Sequence, residues 1–274
     1  MFKDAVAAAA ARAVRAAIVH VPPRRRGIRF AGLTESFFGI PQRRLRSRHV
    51  SGYYISCDLR DAVQRSLFYR GTYEPVTSNL VKDALIRGDT FLDVGANAGH
   101  YTFLAAREVG TSGSVYAIEA SPSTAALLAA DVCRNGLDQT VRVHNVAALD
   151  RQGWLPLYGS EGPSPIGMRS LFQADSRATT EEVKGMPLDD LLPEVQPAVV
   201  KVDVEGADLR ALIGMRQMIE RAHPRLIVVE AEDEQLRRFH DSVHDLTSYM
   251  QSLGYSPVSV AEPYHPNSLA FVHR

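Results

Sequence analysis

From residue 89 onward the chain alternates short apolar runs with amphipathic stretches, and no other feature limits its fold as much. Residues 90–94, 114–118, 141–146, 198–202 and 226–230 are runs of five or six residues, mostly rich in Val, Leu and Ile. Runs of this length, bounded by Gly, Asn or Asp, read as strands buried on both faces. The stretches between them read as helices. One runs from His100 to Glu108 and stops at Gly110. Another is capped by Ser121 with Pro122 at its first position and ends at Asn135-Gly136. Leu236, Phe239, Val243, Leu246, Met250 and Leu253 form one stripe, which predicts a single last helix stopped by Gly254. Short strands near 257–260 and 268–272 follow. Right-handed crossovers make a doubly wound α/β sheet the economical arrangement. Such sheets bind ligands beyond the carboxyl ends of their strands, so chemistry is expected just after Val94, Ile118, Val146, Val202 and Val229.

The 274 residues are 45% hydrophobic and 23% charged, enough for one large domain with a small appendage. The two cysteines, Cys57 and Cys133, show no metal-ligand spacing and read as small buried hydrophobes, as in a reducing cytoplasm. No run approaches the roughly 20 apolar residues of a bilayer-spanning helix. The Ala-rich start carries Asp4, Arg12 and Arg15 and leads into Pro22-Pro23-Arg24-Arg25-Arg26, which argues against an export signal. Val6, Ala10, Val14 and Ile18 predict a weak amphipathic helix over 4–19, and residues 24–50 read as irregular, basic linking structure.

The chain has no net charge, but residues 1–48 hold eleven Lys/Arg against two acidic residues, and the remainder holds 20 basic against 29 acidic. We therefore divide the chain into a basic N-terminal helix and extension, 1–50, and a domain, 51–274. A basic arm on an acidic body either docks on that body or meets an anionic partner: a membrane surface, a nucleotide-sugar, a lipid-linked glycan or nucleic acid.

Beyond the first strand stand Asp93, Val94, Gly95, Ala96, Asn97, Ala98 and Gly99, within a candidate cofactor-binding turn over 91–101 that also holds Tyr101. The turn has neither the third glycine of the dinucleotide fingerprint nor the GK[ST] of a phosphate loop. A carboxylate at Asp93 would repel pyrophosphate but suit a cationic ligand such as S-adenosylmethionine, with its ammonium and sulfonium. Glu119, followed by Ala120, ends the second strand, where an acid can accept hydrogen bonds from ribose hydroxyls. Asn145, Val146 and Ala147 are suited to lining an adenine slot. The fourth strand ends in Lys201-Val202-Asp203-Val204-Glu205-Gly206. Two carboxylates at the end of a buried strand are costly without partners. Asp203 and Glu205 are therefore candidates to orient and deprotonate a substrate hydroxyl. A divalent metal is not favoured, because no third ligand has convincing spacing. Residues 159–170, rich in Gly, Ser and Pro, read as a lid or a plain surface loop. His100, beside the glycine turn, is the best placed histidine, as a base or as packing.

LDVGANAGHYT, AIEASP and VKVDVEGADLRALIG, with the upstream GTYEP and the intervening MPLDDLL, resemble the FkbM-type methyltransferases over roughly residues 55–230. The resemblance implies a Rossmann-like class I methyltransferase sheet with an antiparallel strand near the C-terminus. It also implies S-adenosylmethionine as cofactor and O-methylation of a sugar, glycan, glycolipid or other hydroxylated metabolite. Asp93, Gly95, Asn97, Gly99 and Glu119 match the cofactor motifs, and 203–206 the acidic signature. Asp208 stands where the family commonly has Glu, read here as a tolerant helix-surface acid. Two rivals remain: a methyltransferase of nitrogen, protein or nucleic acid, and a cofactor-binding scaffold without catalysis. The absence of an Asn/Asp-Pro-Pro-aromatic segment disfavours nitrogen acceptors, and nucleic acid is not favoured as a partner. The expected location is cytoplasmic, with peripheral contact to the membrane through the basic segment.

Overall fold

The computed structural model describes residues 2–19, 25–159, 169–171, 179–260 and 268–273. Helices α1 (Phe2–Val19) and α2 (Arg25–Phe38) come first, then an antiparallel ribbon of β1 (Leu45–Arg48) and β2 (Tyr54–Cys57). Helices α3 (Ala62–Arg70) and α4 (Pro75–Ala84) lead into the main sheet. The irregular linker expected over 24–50 is thus corrected to a helix and a strand. Tertiary contacts explain the difference: Ala31 is buried, and Glu35 takes hydrogen bonds from Arg65 (3.3 Å) and the Tyr69 hydroxyl (3.2 Å). Helix α1 also docks. Ala7, Ala8 and Ala11 are buried, and Arg15 Nε donates to the Phe68 carbonyl at 2.7 Å.

The strand–helix alternation then unfolds as β3 (Thr90–Val94), α5 (His100–Val109), β4 (Ser114–Glu119), α6 (Pro122–Arg134) and β5 (Val141–Asn145). After an excursion come α7 (Leu188–Leu191), β10 (Val199–Val202), α8 (Asp208–Ile213), α9 (Arg216–Ala222) and β11 (Leu226–Glu230). The excursion is a second sheet of β6 (Ala147–Ala148), β7 (Gly153–Gly159), β8 (Arg169–Ser170) and β9 (Thr179–Met186), in the order β6-β9-β7-β8. The chain closes with α10 (Asp233–Arg237), α11 (Val243–Ser252), β12 (Tyr255–Ser259) and β13 (Ser268–His273). The single last helix is corrected to two. The break falls at His240, whose φ of 63° ends the first helix, and Ser242 then caps the second by accepting from Asp245 N–H.

The seven strands run in the order β12-β13-β11-β10-β3-β4-β5, parallel except for β13, which is antiparallel to both neighbours. This is the doubly wound, Rossmann-like sheet with an antiparallel strand near the C-terminus. Strand order reverses between β3 and β10, and a crevice opens there. Parity along each strand assigns side chains to two cores. Phe91, Val115, Ala117, Val199 and Val228 pack on the face covered by α4 and α5, whereas Leu92, Val94, Val200, Val202 and Val229 pack with Met215, Met218 and Ile219. Continuous apolar strands follow from burial on both faces. Two buried ionisable residues interrupt them: Lys201, in the centre of β10, is 1% exposed, and Asp93, its neighbour on β3, is 2% exposed. Cys57 is buried as expected, but Cys133, on the outer face of α6, is exposed.

Candidate active site

The crevice holds a cavity of about 410 Å³ at the carboxyl ends of β3, β4, β10 and β11. The glycine turn forms one wall through Gly95, Ala96 and Asn97, and Tyr101 reaches the cavity from the first turn of α5. Gly95 (φ 86°) is required by the fold itself, because a Cβ there would come 1.8 Å from the Asp203 carbonyl oxygen. Gly99 (φ 87°) caps α5, and its Cβ would strike Leu128 at 2.4 Å. The two glycines therefore bring the β3–α5 turn against the β10–α8 loop and α5 against α6. Gly99 does not reach the cavity wall. Nor does Asp93, which is 2% exposed and accepts a hydrogen bond from Thr102 Oγ1 beneath the turn. Burial pushes its carboxyl up to about 6, against the hydrogen bond from Thr102 and the nearby Lys201 charge.

Glu119, Ala120 and Ala147 line the opposite side, with the apolar Ile118, Val146 and Leu157. The Glu119 carboxylate is already engaged: Oε2 accepts Asn97 N–H and Oε1 accepts Ser121 N–H, each at 2.8 Å. It thus ties the glycine turn to the end of β4, and any ribose hydroxyl would share oxygens that these amides already orient. Of the proposed lid over 159–170, residues 160–168 lie outside the described residues. Its ends belong to β7 and β8, and Leu171 beyond them lines the cavity.

Asp203 and Glu205 both line the cavity, joined by Glu230 and Glu232 from the end of β11. Period-two parity places Asp93, Lys201, Asp203 and Glu230 on one face, and Asp93 and Lys201 are register partners. Lys201 Nζ lies 3.4 Å from Asp203 Oδ2 and 5.4 Å from the centre of the Tyr101 ring. Burial alone would lower the Lys201 pKa, but Asp203, Glu74, Glu230 and Asp208 outweigh it and hold the ammonium charged. Glu230 is raised by the Asp203 charge, by burial and by a hydrogen bond between the two carboxyls. Glu205, at φ 55°, is raised by burial and by Asp203, Asp208 and Glu232. Asp208 is not a surface acid: it is 1% exposed and accepts from Val204 N–H (3.1 Å) and Gly206 N–H (3.0 Å), bracing the acidic loop. Its carboxyl rises to about 7, chiefly through burial and Asp203. No group of three or more His, Cys, Asp or Glu placed to hold a metal occurs among the described residues.

The family model of the methyltransferase FkbM domain matches residues 93–257. The chain belongs to this family. Among solved structures, a methyltransferase FkbM from Methylobacillus flagellatus KT is 19% identical with a TM-score of 0.49, covering 68% of this chain and 43% of that one. This chain thus spans less than half the length of that relative. A putative rRNA-methylase from Clostridium thermocellum is 13% identical, TM-score 0.49, covering 74% and 95%. An O-methyltransferase from Bacillus cereus in complex with SAH is 14% identical, TM-score 0.43, covering 73% and 79%. No curated protein matches the sequence.

Along one wall of the cavity of this FkbM domain, where Tyr73 and His100 line it, runs a chain of hydrogen bonds that periodicity could not reveal. Ser78 Oγ donates to the Tyr73 carbonyl (2.7 Å), so it accepts from His100 Nε2 (2.7 Å). His100 Nδ1 then accepts from His49 Nε2 (2.8 Å), and His49 Nδ1 accepts from Ser51 Oγ (2.7 Å). The tautomers follow from this directionality. Burial holds both rings neutral, with His49 lowered to about 4 and His100 well below its ordinary value. Both nitrogens of His100 are used, so it is no free base. The chain anchors Tyr73 and Glu74 instead, and Glu74 Oε2 accepts from the Tyr101 hydroxyl at 2.6 Å. For Lys201 and Glu230, which sequence reasoning also left out of the site, two signals were available: Lys201 as the lone charge in its apolar strand, and the shared parity of 201, 203 and 230.

Proposed function

We propose that this FkbM domain is an S-adenosylmethionine-dependent O-methyltransferase acting on a hydroxyl of a sugar, glycan, glycolipid or other secondary metabolite. One observation carries the reading. Among the described lining residues are six carboxyl groups and no Lys or Arg, beside a glycine turn and an apolar slot. That donor set fits a cofactor bearing an ammonium and a sulfonium and repels the pyrophosphate of a dinucleotide. Asn97, Glu119, Ala120 and Ala147 would hold its adenosine, and Gly95, Ala96 and Tyr101 its amino-acid end. When bound, the cofactor supplies an activated methyl group; the protein has to align the nucleophile and remove its proton.

Glu205 is the proton acceptor in this scheme. Its carboxyl is raised out of the ordinary acid range, and a cation in the cavity draws it toward the ionised form. Asp203, tied to Lys201 and Glu230, orients the acceptor hydroxyl. No metal enters the scheme. Among the described residues no helix is long and apolar enough to cross a membrane. The basic excess before residue 48 and the exposed Leu33, Phe37 and Phe38 on α2 support peripheral contact with an anionic membrane surface in the cytoplasm, where a lipid-linked acceptor would be met.

The test is a methyl-transfer screen over glycans, nucleotide-sugars and hydroxylated metabolites, with peptide and nucleic-acid arms, read by mass spectrometry. Transfer to oxygen of a hydroxylated small molecule is the expected result. Transfer confined to the peptide or nucleic-acid arms overturns the acceptor class, and the absence of any cofactor binding overturns the reading entirely.

A further inference from the structure

Asp61 stands at the N-cap of α3, remote in sequence from the strand ends that build the crevice. Its Oδ1 accepts Gln64 N–H at 2.7 Å and so starts the helix. The side chain is 1% exposed, yet Oδ2 has no hydrogen-bond partner among the described residues. A buried carboxylate oxygen left unpaired is destabilising. The cap does not demand it, because Asn or Ser would cap α3 about as well with no charge to bury. The explanation lies in where the residue sits: Asp61 lines the same cavity as the glycine turn and the acidic loop. Around it the wall is apolar, formed by Ala62, Val63 and Leu67 of α3 with Tyr73 nearby. One unmet polar atom in an apolar wall is the composition of a ligand subsite.

We infer that Asp61 is an acceptor-binding residue, whose Oδ2 takes a hydrogen bond from a hydroxyl of a neutral, polyhydroxylated acceptor other than the hydroxyl that is methylated. This rests on the methyl-transfer reading above. An ionised carboxylate only accepts, so the ligand group must donate. A phosphate or carboxylate ligand brings no proton and meets repulsion from the lining carboxyls. An ammonium brings protons but would be stripped of water against Ala62, Val63 and Leu67, at a larger cost than a hydroxyl. The neutral hydroxyl satisfies both conditions, and it fixes the acceptor at a second point so that its reacting oxygen is aligned toward Asp203 and Glu205.

The experiment uses the full chain saturated with S-adenosylhomocysteine. Affinities are measured by calorimetry for the methyl glycosides of glucose, galactose, mannose and rhamnose, with glucose 1-phosphate and glucosamine as charged arms. Asp61→Asn and Asp61→Ser both keep an oxygen for the helix cap, while the first turns the unpaired atom into a donor and the second removes it. The expected result is that at least one neutral glycoside binds and that both variants weaken it about 10–100-fold. S-adenosylhomocysteine affinity should stay at the wild-type value, and the melting temperature should be equal to or above it, because the variants bury no unpaired charge. Equal glycoside affinity in the variants overturns the proposal. So does binding confined to a charged arm, or no glycoside binding to a protein that holds S-adenosylhomocysteine. Loss of the fold in both variants overturns it as well, by making Asp61 structural. Failure to bind S-adenosylhomocysteine is a different outcome, which removes the methyltransferase reading and this subsite with it.

Discussion

Glu205 adopts a left-handed backbone conformation (φ 55°), and Gly206 after it (φ 102°) leaves no room for a Cβ, which would lie 2.5 Å from the Gln235 carbonyl oxygen. A non-glycine residue held there stores about 1–3 kcal/mol of backbone strain, which persists only where surrounding contacts enforce it. Here the two amide bonds to Asp208 and the close approach of Gly95 enforce it. Glu205→Gln keeps the shape and removes the proton acceptor. We expect kcat to fall about 10²–10⁴-fold while cofactor affinity stays near wild type. In the wild type the ionised carboxylate is the active form, so kcat should rise with pH beyond the ordinary carboxylate range, and the variant should lose that limb. Full activity in Glu205→Gln would assign proton removal elsewhere. Glu119→Ala should weaken S-adenosylhomocysteine by about 1–3 kcal/mol in calorimetry, because it frees the Asn97 amide as well as removing oxygens for the ribose. Unchanged affinity would confine Glu119 to bracing the turn. At this scale the sequence was partly legible. Gly95, Glu119, Asp203 and Glu205 converge because they follow strand ends. Asp93 goes beneath the wall because it lies level with buried Lys201, one step below the strand ends where Asp203 and Glu230 stand, a relation that exists only once β3 and β10 are in register.

The strands of the main sheet were readable because each must be apolar on both sides. The second sheet was not: β9 reads TTEEVKGM and β7 carries Pro156, so neither offers a clean apolar run, and Trp154 is 68% exposed. Their pairing comes from backbone bonds of an antiparallel pair flanking the cavity, in which Leu157 and Val183 are the buried apolar side chains among the described residues and pack on Ala147. Helix α2 was missed for the opposite reason. Among its described side chains Ala31 is the buried one, and its outer face carries Leu33 and Phe37, the latter 82% exposed. On the membrane reading those two side chains enter the interface while the basic residues meet anionic headgroups, each worth about 1 kcal/mol near the surface. Leu33→Ser with Phe37→Ser should abolish most co-sedimentation with phosphatidylserine-containing vesicles, and wild-type binding should weaken with salt. The melting temperature should not move, since both side chains are already exposed. Equal sedimentation of wild type and variant would remove the membrane from this account.

Across the whole molecule, the acidic crevice sets a pH dependence of stability opposite to that of an ordinary salt-bridged domain. Asp93 and Asp208 are raised to about 6 and about 7, and Glu205 and Glu230 are raised as well. Unfolded carboxyls titrate near pH ~4. Above that pH the unfolded chain holds fewer protons than the folded one, so this contribution, fully present below pH ~4, is lost as the pH rises through the folded values. Without ligand, the melting temperature should fall between pH ~5.5 and pH ~8. Saturating S-adenosylmethionine should flatten the fall by supplying positive charge. A ligand-free melting temperature that rises over this interval would show that the crevice carboxyls are ionised throughout.

Strand β13 lies C-terminal in sequence to every other strand of its sheet, yet it sits between β11 and β12 rather than at an edge. During synthesis, β11 therefore waits with an open side until the final strand has left the ribosome. Strand β12 has no partner at all until then, since β13 is its neighbour in the sheet. The antiparallel strand thus works as a closing wedge, whose arrival both completes the sheet and hides two sticky borders. A nascent chain stalled just short of it would present Leu226–Glu230, five residues of mostly Val, Leu and Ile, to whatever strand or chaperone it meets first.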